Sequence, residues 1–111
     1  MYFEDSSQLE TIGRGAFSET NLAAVTIPAN VITIGENAFE YSQSLTSVVF
    51  EASSKLETIG RNAFSGAGMT TVTIPANVIT IGKRAFDYCQ SLASVVFEEP
   101  SQLETIGYGA F

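Results

Sequence analysis

The pattern Ile-Gly-x-x-Ala-Phe recurs five times, at residues 12–17, 34–39, 59–64, 81–86 and 106–111. Its glycines, Gly13, Gly35, Gly60, Gly82 and Gly107, are separated by 22, 25, 22 and 25 residues. Two kinds of unit therefore alternate within a 47-residue super-repeat. Residues 22–64 align with residues 69–111 without a gap, with 30 identities in 43 positions. No unit of about 23 residues can bury its apolar side chains alone, so successive units must stack and bury them together. That confines the chain to a repeat architecture.

The shorter unit reads Val25-Thr26-Ile27-Pro28-Ala29-Asn30-Val31-Ile32-Thr33-Ile34-Gly35, and residues 72–82 repeat it identically. The longer unit reads Val48-Val49-Phe50-Glu51, then a loop, then Leu56-Glu57-Thr58-Ile59-Gly60, with its copy at 95–107. Val-x-Ile and Val-x-Phe alternate with period two, which predicts a short strand with two inward side chains. Pro28 and Pro75 end their strands because proline has no amide for the ladder. Asn30 and Asn77 suit the turn that follows. Val31 with Ile34, or Leu56 with Ile59, sends a second pair inward. The motif glycine is expected to permit a bend that a Cβ would hinder. Ala-Phe follows on a 3₁₀ or short helical turn, with Phe as the large core filler. The expected division is 1–22 (partial), 23–45, 46–69, 70–92 and 93–111 (partial). With strands about 4.8 Å apart, such a stack rises roughly 20–25 Å.

Catalytic chemistry finds few residues to work with. The chain has no histidine and one cysteine, Cys89, so neither a His-based nucleophilic site nor an internal disulfide can be built. No metal site and no cofactor are expected. Cys89 falls where other units carry Thr20, Ser42 and Ala67, which predicts a buried, inert thiol. Gly66-Ala67-Gly68 lacks the surroundings of a phosphate loop and is expected to supply the tight return to Met69. Glu10, Glu57 and Glu104 share one repeat position, and Glu4, Glu51 and Glu98 another. These predict two acidic columns with like residues two rungs apart, about 9–10 Å, too far to share one cation. The net charge of −7 argues against nucleic acid or anionic membranes as partners. No apolar run is long enough to insert in a membrane, and no signal peptide is visible.

The pattern resembles leucine-rich repeats of the Treponema/BspA-like class. Val72-Thr73-Ile74-Pro75, the stretch from Val78 to Phe86, Cys89 and Leu92 carry the resemblance. The longer units depart from that class by placing Glu51 or Glu98 where the proline stands and by adding two residues. The resemblance implies a right-handed leucine-rich-repeat solenoid, mainly short β-strands with 3₁₀ or short helical turns. It also implies a non-enzymatic module at the cell surface or secreted, of the kind associated with adhesion and host-protein binding.

On such a solenoid the strand face opposite the core is the expected docking strip. Its outward residues are Tyr2, Ala24, Thr26, Ser47, Val49, Thr71, Thr73, Ser94 and Val96. The expected partner is a protein, or another copy of the chain. The chain opens and closes inside the repeat pattern, and neither end carries a polar capping unit. Phe111 is therefore expected on an open rung, and homo-oligomers through uncapped ends are the alternative reading.

Overall fold

The structure, a computed structural model, describes residues 8–111. Two kinds of short strand alternate along the chain. The first kind is a Thr-Ile pair: β1 (Thr11–Ile12), β3 (Thr33–Ile34), β5 (Thr58–Ile59), β7 (Thr80–Ile81) and β9 (Thr105–Ile106). These form one parallel five-stranded sheet in the order β1-β3-β5-β7-β9. The second kind has four residues: β2 (Ala24–Ile27), β4 (Ser47–Phe50), β6 (Thr71–Ile74) and β8 (Ser94–Phe97). The chain is thus a solenoid of parallel strands, with its core between the two walls and a line of Ala-Phe turns.

Register makes the core continuous. Ile12, Ile34, Ile59, Ile81 and Ile106 lie directly over one another, and Ile34, Ile59 and Ile81 are fully buried. Each such side chain contributes about 1.5–3 kcal/mol by leaving water. The phenylalanines form a second column. Phe17, Phe39, Phe64, Phe86 and Phe111 stack with successive ring centroids 5.1–5.3 Å apart. Parallel in-register stacking thus sets like on like, which is why each unit repeats the same side chains.

The Ala-Phe turns differ from the 3₁₀ or helical turns that the sequence suggests, and among the described residues there is no helix. The cause lies in where the amides go. Ala38 N–H donates to Gly35 O within its own turn, but Phe39 N–H donates to Ala63 O on the next rung. Glu40 N–H returns to Asn37 O, and Tyr41 N–H again crosses, to Ser65 O. Every second amide is used between rungs, so no run of helical bonds can form. The alternation requires left-handed backbone at two places in each turn. One column is Gly15, Asn37, Asn62, Arg84 and Gly109; the other is Glu19, Tyr41, Gly66 and Tyr88. Glycine and asparagine suit that conformation, and bulky residues do not.

The motif glycines are explained by close approach rather than by a bend. A Cβ on Gly60 would lie 2.8 Å from Glu36 N, and one on Gly82 would lie 2.6 Å from Arg61 N. Both contacts are with the backbone of the preceding rung. Gly13 has no described neighbour within 4 Å of that position. Gly35, Gly60, Gly82 and Gly107 also donate their amides one rung back, at 2.7–2.8 Å, to Ile12, Ile34, Ile59 and Ile81.

Candidate interaction surfaces

The four-residue strands present the expected alternation. Val25, Ile27, Val48, Val72 and Ile74 face the core, and Ala24, Thr26, Ser47, Val49, Thr71, Thr73, Ser94 and Val96 are exposed. Tyr2 lies outside the described residues. The register sets Ala24 beside Ser47 and Thr26 beside Val49 on one pair, and Thr71 beside Ser94 and Thr73 beside Val96 on the other.

The face is not one ladder, however. β2 pairs with β4 and β6 with β8, but β4 and β6 belong to separate sheets. Proline accounts for one of the missing bonds. After β4 and β8 the chain donates an amide one rung back, Glu51 N–H to Ile27 O and Glu98 N–H to Ile74 O. After β6 the equivalent residue is Pro75, which has no N–H to offer Phe50. A shallow cleft of about 140 Å³ opens at this step, lined by Val49, Phe50, Thr73, Pro75 and Glu98 among others. The outer strand face is therefore two like patches, one per super-repeat. Each carries one half-exposed valine, Val49 (51%) and Val96 (49%).

The opposite wall is a sheet that the sequence pattern does not predict. It presents a threonine column, Thr11, Thr33, Thr58, Thr80 and Thr105. The fivefold Thr-Ile-Gly was the available signal. Beside it, the register alternates Glu10, Glu57 and Glu104 with Ile32 and Ile79, so these glutamates do lie two rungs apart. Lys55, Glu57 and Glu104 share a depression of about 390 Å³ with both isoleucines. In the second acidic column, Glu4 is outside the described residues. Glu51 has a specific partner: its carboxylate accepts the Ala29 amide at 2.8 Å and so caps the turn of the shorter unit. Among the described residues no cluster of His, Cys, Asp and Glu could hold a metal ion, and no helix is long and apolar enough to cross a membrane.

Cys89 is half-buried rather than fully buried. Its thiol donates to Phe64 O at 3.1 Å, as the Ser42 hydroxyl does to Phe17 O at 2.9 Å. The column therefore serves a phenylalanine carbonyl one rung back. Burial pushes the Cys89 thiol above its ordinary pKa, and the Asp87 charge adds to this against opposing backbone hydrogen bonds from Ala67 and Gly66. A thiol held in its neutral form is a poor nucleophile. At Gly66-Ala67-Gly68, Gly68 donates to Leu45 O at 2.9 Å, and a Cβ there would overlap Gln43 O. These glycines shape the return toward Met69, as expected.

Comparison with known proteins agrees with this geometry. The pattern of the BspA-type leucine-rich-repeat region matches in six copies over residues 10–111. The pneumococcal vaccine antigen PcpA is similar at 28% identity and a TM-score of 0.85, over 92% of this chain and 27% of that one. A leucine-rich repeat protein from Bacteroides capillosus is similar at 36% identity and a TM-score of 0.70, over 80% of this chain and 63% of that one. A leucine-rich cell surface protein from Faecalibacterium prausnitzii matches at 26% identity and a TM-score of 0.56, over 92% of this chain and 40% of that one. The chain thus spans less than two thirds of each of these proteins. No curated protein matches the sequence. Repeat, register and profile together place the chain: it belongs to the BspA-type leucine-rich-repeat family.

Proposed function

We propose that this chain is a non-enzymatic protein-interaction module at the cell surface, docking a partner protein on its four-residue strand face. Members of this repeat class serve generally as protein-interaction modules or surface antigens. The observation that carries the reading is the pair of valines, Val49 and Val96, half-exposed at the same place on two like patches. Exposed apolar side chains on a flat sheet, ringed by Ala, Ser and Thr, suit a partner that makes many weak contacts. Two like patches on one rigid body add avidity when the partner is repetitive. We further propose 1–22, 23–45, 46–69, 70–92 and 93–111 as the division into repeat units.

The test is binding to a panel of purified extracellular host proteins, comparing the wild-type chain with Val49→Lys/Val96→Lys. Both sites are exposed, so the double variant is expected to melt within a few degrees of wild type. It is expected to lose at least about tenfold in affinity for any protein the wild type binds. Undiminished binding by the double variant would contradict the reading.

A second reading is self-association. It is favoured by the same strand face, where the half-exposed Val49 and Val96 among Ala, Ser and Thr would suit the like face of a second copy.

A further inference from the structure

The turn edge carries a feature that the strand-face reading does not use. Tyr41, Gly66 and Tyr88 are successive members of one left-handed column. Their places are fixed by the bonds Tyr41 N–H to Ser65 O and Gly66 N–H to Asp87 O, at 2.7 and 2.8 Å. Two tyrosines therefore flank a position that has no side chain. The Tyr41 ring leans over it, with Cδ1 2.9 Å from where a Gly66 Cβ would stand. Tyr88 is 68% exposed and Tyr41 48%. The notch between them has a volume of about 360 Å³, and its lining includes Gln43, Gln90 and Ser91.

We propose that this notch binds a neutral sugar ring of a glycan. Shape is the first argument. The notch lies between two exposed tyrosine side chains, over a glycine that adds no side chain of its own. Chemistry is the second. Although the chain carries a net charge of −7, none of the lining residues is charged, which suits a neutral ligand. The tyrosine faces offer an electron-rich surface to the C–H groups of a pyranose. The Gln43 and Gln90 amides each offer donors and an acceptor, and Ser91 a hydroxyl, which matches a ring bearing several hydroxyls.

The third argument is conformational. Tyr41 and Tyr88 both have φ of 58°, a region that disfavours bulky side chains. Long side chains also occupy this conformation at Glu19 and Arg84, but both super-repeat copies place an exposed tyrosine beside the glycine rung.

The site is on the turn edge, so it stands or falls independently of the strand face. The experiment is an amide-resolved NMR titration of the full chain with maltotetraose, cellotetraose and tetra-N-acetylchitotetraose, and with the peptide Gly-Tyr-Gly. The expected result is saturable shifts at Gly66, Ala67, Gly68 and Gln90 with at least one sugar. Tyr88→Asn should weaken that binding by at least about tenfold while keeping or raising the melting temperature, because asparagine suits the backbone at 88. Gln90→Ala, on an exposed side chain, should weaken it independently. No saturable shift with any of these sugars would overturn the proposal. So would undiminished binding in both variants, or a response to the peptide alone.

Discussion

Phe64→Ala is expected to destabilise the chain by about 3–5 kcal/mol. Phe64 is completely buried, and its ring lies between Phe39 at 5.1 Å and Phe86 at 5.3 Å. Truncation removes both contacts at once and leaves a cavity that neighbouring rungs can close only by breaking register. Register is held by the Thr-Ile sheet and along the turns, where Phe64 N–H donates to Ala85 O at 2.7 Å, so the cavity stays open. The matched control is Thr73→Ala on the outer face of β6, expected to cost well under about 1 kcal/mol. Urea unfolding of the two variants gives the comparison. Equal losses would mean that the phenylalanine column is not the core.

Gly82→Ala is expected to cost about 1–3 kcal/mol, the usual range for overpacking, and Gly13→Ala almost nothing. The two glycines hold the same place in the same motif. A Cβ on Gly82 would meet Arg61 N at 2.6 Å, Gly60 C at 2.7 Å and Ile59 O at 3.0 Å. All three atoms are backbone, and none can rotate away. Relief requires the rungs to separate, which stretches the 2.7 Å bond from Gly82 N–H to Ile59 O. At Gly13 no described atom comes within 4 Å, and neither glycine has a positive φ, so no described atom opposes alanine there. Thermal melts of the two variants separate close approach from turn geometry as the reason for the motif. Equal effects at both positions would favour turn geometry.

The sequence makes some parts of this fold legible and hides others for identifiable reasons. The β2, β4, β6 and β8 faces are readable because Val-x-Ile and Val-x-Phe span enough residues to show period two, and the structure exposes the eight described strand-face residues named from it. The Thr-Ile sheet is not readable, because a two-residue strand is too short for alternation to register; only its fivefold stacking makes it a sheet. The Ala-Phe turns read as helical because Ala and Phe are compatible with helix. What prevents helix is the bond from Phe39 N–H to Ala63 O, a partner 24 residues away. One bond missing between β4 and β6 traces to Pro75. Its lack of a donor is visible in the sequence, but the Phe50 carbonyl it fails to serve is visible only once rungs are stacked. The tyrosine notch is hidden for the same reason. Tyr41, Gly66 and Tyr88 are 25 and 22 residues apart and become neighbours only through the register.

The central functional claim is that the chain engages other molecules through its exposed faces rather than stacking on itself. Light scattering on a size-exclusion column, across a wide concentration range with reductant present to keep Cys89 reduced, tests it most directly. The account predicts a steady mass near 11.8 kDa. A mass that climbs with concentration, or a fixed multimer, would contradict it and make self-association the better description of what this chain does.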